Sequence, residues 1–155
     1  MSKFRFESLL KLRESERDEK KNAFLEAEER RLLTIDALAA LKRELEVSQE
    51  ESRRARAADT PLQSTELRRF QESRIQITEK IQQTQERLDA VTRETESKRE
   101  ELNAALKEVK ILQSLKEKTL EHEMEEERRQ AAKKLDEIAS QQKTQERRRN
   151  LEYDE

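Results

Sequence analysis

Apolar residues recur along this chain at steps of three and four, and charged residues fill most positions between them. That spacing predicts helices carrying one apolar stripe each. The first run opens on a dense cluster, Phe4, Phe6, Leu9, Leu10 and Leu12. It thins through Lys20–Lys21, resumes at Phe24, Ala27, Leu32, Ile35, Leu38, Leu41 and Leu45, and weakens to Ser48, Ser52 and Ala55. The second run is more regular: Leu67, Phe70, Arg74, Ile77, Ile81, Thr84, Leu88, Val91, Thr95, Lys98, Leu102, Ala105, Val109, Leu112. Its steps are those of a heptad seam, with polar interruptions at Arg74, Thr84, Thr95 and Lys98. After Leu112 an apolar stripe continues in a shifted phase through Leu115, Leu120, Met124, Ala131, Leu135 and Ile138, which reads as a stutter.

Between the runs lies Ala57-Ala58-Asp59-Thr60-Pro61-Leu62-Gln63, which holds the single proline of a chain without glycine. Proline lacks an N–H and pushes the residue before it out of the α region, so the first helix stops before Thr60. Thr60 as N-cap, Pro61 at the first helical position and Gln63 three residues after the cap then restart a helix. The expectation is an all-α fold, one domain over residues 1–155. It is an antiparallel coiled-coil hairpin with helix 1 over about 4–57, a turn at 58–60 and helix 2 over about 61–149. The competing reading is a kink in one continuous rod. With the turn near residue 61, facing residues sum to about 122, setting Leu45 by Ile77, Leu41 by Ile81, Leu38 by Thr84, Phe24 near Lys98 and Leu10 near Leu112. Helix 1 would be about 80 Å long, and helix 2 would leave a C-terminal overhang of about 45–50 Å from residue 118 onward. An isolated amphipathic helix wants a surface to pack on. Fraying is expected over the basic run and acidic tip, residues 147–155.

Composition sharpens this picture. The 155 residues are 45% charged, 32% hydrophobic and 3% aromatic, too lean for a compact core. The net charge of −2, from 34 basic against 36 acidic residues, removes the self-repulsion of a disordered polyelectrolyte. Helix-favouring residues dominate, and opposite charges recur at helical spacing. Cysteine is absent, which suits a cytosolic setting. The opening residues lack the apolar run of a signal peptide, and no run is long enough to span a membrane.

Candidate chemistry is scarce. Without glycine there is no phosphate-cradling loop, so nucleotide binding of that kind is excluded. His122 is the only histidine, and the i+4 position that a helical zinc site needs is Glu126, so a solvated histidine is the better reading. Paired carboxylates are everywhere, but an exposed rod gives no pocket to tune them. The expectation is a non-enzyme with no cofactor and no metal. Basic clusters at 53–56, Arg68-Arg69, Arg128-Arg129, Lys133-Lys134 and 147–149 are interleaved with acids. That pattern argues for solvated charge or protein docking over nucleic acid. Direct membrane insertion is not expected.

Two stretches resemble the flagellar export protein FliJ family: Lys3-Phe4-Arg5-Phe6-Glu7-Ser8-Leu9-Leu10-Lys11-Leu12-Arg13-Glu14 and Glu127-Arg128-Arg129-Gln130-Ala131-Ala132-Lys133-Lys134-Leu135-Asp136-Glu137-Ile138-Ala139. Length and turn position are similar as well. The resemblance implies an antiparallel coiled coil similar to the central stalk of rotary ATPases, working in flagellar type III export at the cytoplasmic face of the cell membrane. Implied partners are the export ATPase ring, the membrane export gate protein, and export substrates or chaperones. It also implies ATPase-facing residues Phe4, Phe6, Leu9, Leu10, Leu12, Arg13, Arg128, Arg129, Leu135, Asp136, Glu137 and Ile138. Gate-facing residues would be Phe70, Arg74, Ile77 and Ile81, although Arg74 stands where an apolar residue is expected. Ile77 and Ile81 serve equally well as seam packing. The rival readings are a self-associating coiled-coil scaffold, or a stalk subunit of a related secretion system or rotary ATPase.

Overall fold

A computed structural model describes residues 4–154; Lys3 of the opening motif and Glu155 of the acidic tip lie outside the described residues. The chain folds into two helices, α1 (Glu7–Ala57) and α2 (Ser64–Tyr153), of 51 and 90 residues. Acidic Glu7 in the first turn of α1 and basic Arg54 and Arg56 in its last turn complement the helix dipole. Contacts group the chain into two units, Met1–Leu12 with Glu108–Glu155, and Arg13–Lys107.

In the larger unit, α1 and α2 run antiparallel. Lys20 donates to Glu101 at 3.3 Å, Arg30 to Glu94 at 2.9 Å, and the Arg99 guanidinium lies 5.6 Å from the Phe24 ring centre. The residue numbers of these pairs add to between 121 and 124, the predicted register. Ala27, Leu38 and Ile77 are buried, with Thr34 and Thr95 among them. Neither threonine reaches across the seam. Each hydroxyl donates back to the carbonyl four residues earlier, Thr34 to Arg30 at 2.7 Å and Thr95 to Val91 at 2.8 Å. A buried hydroxyl is thereby satisfied inside its own helix. Ala27 and Thr95 stand at the same level of the register and are 0% and 2% exposed. Small side chains therefore bring the helices close there.

Three details of the sequence pattern are corrected. Leu32 is half exposed, because the covered face of α1 passes through Arg31 and Thr34. The Arg31 stem covers that step while its guanidinium grips both oxygens of Glu28 at 3.0 and 2.6 Å. Arg74 is exposed, and Ser73 takes the half-buried position before Ile77. A long charged side chain gains water by leaving the seam, while serine fits it.

The third correction is at the turn. Residues 58–63 lie outside both helices, and α2 starts at Ser64, not at Pro61. The Gln63 carbonyl accepts from the N–H groups of Glu66 and Leu67 at 3.1 and 3.2 Å. With Gln63 as cap, Leu62 and Leu67 occupy the two positions of a hydrophobic staple, and Glu66 falls at the third helical position. Both leucines are half-buried. A start at Pro61 would forgo that staple.

In the smaller unit, Leu10 and Val109 are buried, and Lys116 pairs with Glu7 at 2.9 Å, again antiparallel. The covered face of α2 continues at regular steps through Leu112, Lys116, Thr119 and Glu123, all half-buried. Beyond Glu123 every described residue is exposed. The overhang thus begins about one turn later than residue 118. The helix persists through the basic run to Tyr153, since neither glycine nor proline stops it.

Candidate docking surfaces

The covered face of α2 keeps its register after Leu112, but the apolar stripe does not follow it. Leu115, Leu120 and Met124 are 40–54% exposed, while Lys116, Thr119 and Glu123 take the covered positions. The stutter read in the sequence therefore turns the apolar residues outward. Further along the same unit Leu135, Ile138, Leu151 and Tyr153 are exposed too.

Phe4, Phe6, Leu9 and Leu12 belong to this unit as well. The Phe4 and Phe6 rings meet edge to face, 5.9 Å between centres, with the Arg5 guanidinium 5.7 Å from the Phe6 centre. The N–H of Glu7 donates to the Phe4 carbonyl and that of Leu10 to Phe6, so the aromatic pair forms the turn that leads into α1. Phe4 is half-buried; Phe6, Leu9 and Leu12 are exposed; Leu10 is 4% exposed. Leu10 is thus a packing residue, and its neighbours are the surface. Arg128, Arg129, Asp136 and Glu137 are exposed along the overhang, Arg129 lying 4.0 Å from Glu125. Arg13 belongs to the larger unit, where it pairs with Glu16 at 2.9 Å.

In the larger unit the turn end is held by small residues. An open groove of about 410 Å³ there is lined by Ser48, Ser52, Arg53, Arg56, Phe70 and Arg74, among others. Phe70 and Ile81 are half-buried, and Ile77 is 5% exposed. The structure thus brings Phe70 and Arg74 together on a basic groove and sets Ile77 in the seam behind. Arg53 is anchored by Glu50 at 3.3 Å. Arg53 and Arg56 were not singled out as gate residues, though their spacing from Ser52 on helix 1 puts them on one face.

Charge across this unit is locally balanced. The Arg31 guanidinium bonded to Glu28, with Arg99 nearby, holds that carboxyl below its ordinary range, and Glu28 in turn raises Arg31. Glu101 is lowered by its hydrogen bond from Lys20 and by the charges of Lys20 and Lys98. Among the described residues no cluster of three or more metal-capable side chains occurs, and no helix is long and apolar enough to cross a membrane.

Two long helices packed antiparallel, with exposed apolar side chains and an open groove lined by arginines, define an all-α protein of paired helices. The family is the one the terminal motifs resemble: the model of the flagellar FliJ protein matches residues 2–148, so the chain belongs to the FliJ family and is a flagellar export-related protein. Comparison with curated proteins and with solved structures finds no match.

Proposed function

We propose that this protein is a non-enzymatic stalk of flagellar protein export, docked on the export ATPase ring through its smaller unit. The carrying observation is the concentration of exposed apolar side chains in that unit: Phe6 in the turn before α1, Leu9 and Leu12 on α1, and Leu120, Met124, Leu135 and Ile138 on α2. Exposed apolar residues in such number mark an interaction site. Arg128, Arg129, Asp136 and Glu137 flank the α2 part and supply register and encounter steering. Phe4 completes the aromatic turn, and buried Leu10 serves as packing beside the exposed residues. At the other unit, Phe70, Arg74 and Ile81 on the basic groove meet the membrane export gate protein, with Ile77 as their packing support. The protein would work at the cytoplasmic face of the membrane without inserting into it, transmitting state between ATPase and gate. Export substrates or chaperones are further partners on this reading.

The test mixes the full chain with the flagellar export ATPase of the same source and measures ATP hydrolysis and ring size by light scattering. Both rise with the native chain. Both gains are lost with Phe6→Asp, Leu9→Asp and Leu12→Asp combined, positions chosen because they are exposed, whereas Leu10 would disturb packing. Circular dichroism checks that helix content is kept. A native chain that changes neither hydrolysis nor ring size sinks the reading.

A further inference from the structure

The overhang carries a charge pattern that the export reading does not use. Residues 121–127 hold five glutamates and no lysine or arginine. Residues 143–149 hold Lys143, Arg147, Arg148 and Arg149 against Glu146 alone. The apolar residues Ala131, Leu135 and Ile138 lie between these two blocks, and Leu135 is 67% exposed. All of these residues belong to one uninterrupted helix, so the acidic block cannot fold back on the basic one within a chain.

We propose that the overhang pairs with the overhang of a second copy of this chain, antiparallel, about a two-fold axis near Leu135. Only that order matches the blocks: residues 121–127 of each copy lie beside 143–149 of the other. Parallel pairing would lay acid on acid and base on base, which is repulsive. At the axis Leu135 meets its own counterpart, and Ile138 comes level with Ala131 and Ala132, whose small side chains leave it room. The same register carries Leu151 and Tyr153 of one copy level with the stretch between Leu115 and Leu120 of the other. Tyr153 is 89% exposed in the single chain, and this arrangement covers it. A two-fold contact of this kind is self-complementary and closed, so it stops at two copies. Self-pairing occupies Leu135 and Ile138, two of the residues offered to the ATPase above, so on that reading the dimer is a reserve form in which the overhang part of the docking face is covered.

The test uses the full chain alone, so its outcome is independent of the ATPase reading. Sedimentation equilibrium measures the dimer dissociation constant at low and high salt. Glu121→Lys, Glu125→Lys and Glu126→Lys combined raise it by more than about tenfold, and so do Arg147→Glu, Arg148→Glu and Arg149→Glu combined. A mixture of the two variants restores dimers, since each overhang is then complementary to the other and not to itself. The native chain lacks cysteine, so a Glu121→Cys chain mixed with an Arg149→Cys chain gives a mixed disulfide on oxidation. A chain that stays monomeric at every concentration overturns the proposal. So do dimers indifferent to both charge reversals, or a Glu121→Cys chain that cross-links chiefly to its own kind.

Discussion

Arg99 on α2 holds its guanidinium 5.6 Å from the centre of the Phe24 ring on α1. The carboxyl of Glu28, one turn further along α1, is drawn down first by its hydrogen bond from Arg31 and in smaller part by the Arg99 charge. One arginine thus serves a ring and a carboxylate on the facing helix. A double-mutant cycle with Phe24→Leu and Arg99→Gln, read by urea unfolding, should give a coupling of about 0.5–1 kcal/mol. Strict additivity would mean that the contact is incidental.

Thr95 and Ala27 share the most deeply buried layer of the larger unit. The Thr95 hydroxyl is already satisfied by Val91, so size, not polarity, is what this layer needs. Thr95→Leu should cost about 1–3 kcal/mol through overpacking. Thr95→Ser keeps the hydroxyl and loses a buried methyl, at a cost near 1 kcal/mol. Thermal melts that rank the two the other way would contradict a size-limited layer.

The turn offers a direct comparison. If Thr60 capped α2, Thr60→Ala would cost about 1 kcal/mol. With the cap at Gln63, the loss should stay within about 0.5 kcal/mol, as for an ordinary surface site. Leu62→Ser, which removes one arm of the staple, should lower the unfolding midpoint more than Thr60→Ala does.

Glu101 gives the pH dependence. Its pKa is lowered in the fold by the hydrogen bond and charge of Lys20, then by Lys98. A depressed carboxyl pKa stabilises the fold above the unfolded value, about pH 4.3, and that contribution is lost as pH falls through the folded value. The native chain should therefore melt higher than Glu101→Gln at neutral pH, and the gap should close in acid. Melting curves that stay parallel from neutral pH into acid would rule this out.

Most of the architecture was legible in residue spacing. The register followed from one proline and two apolar runs, and Lys20–Glu101 and Arg30–Glu94 obey it. Phe24 meets Arg99 where Lys98 was expected, one residue away. What spacing could not supply was the choice between neighbours. Leu32 is more apolar than Arg31, yet Arg31 is covered, because heptad phase outranks hydrophobicity once both flanking layers are set. The same competition recurs after Leu112, where phase continues through Lys116 and leaves Leu115 outside. In the candidate surfaces, periodicity found the overhang stripe, but only packing separated Leu10 from its exposed neighbours. The arginine groove needed both helices at once, so no single-helix pattern revealed it.

That groove has a mechanical consequence. Close-packed interiors resist deformation because every displacement compresses a neighbour. Between Ser48 and Phe70 the filler is missing, and about 410 Å³ stands open among small and charged side chains. Packing therefore constrains the two helices less at this end of the larger unit than at the layer of Ala27 and Thr95, which are 0% and 2% exposed. Arg56 and Arg74 line the gap together with Arg53, which Glu50 anchors, so the charge held there is screened as ionic strength rises.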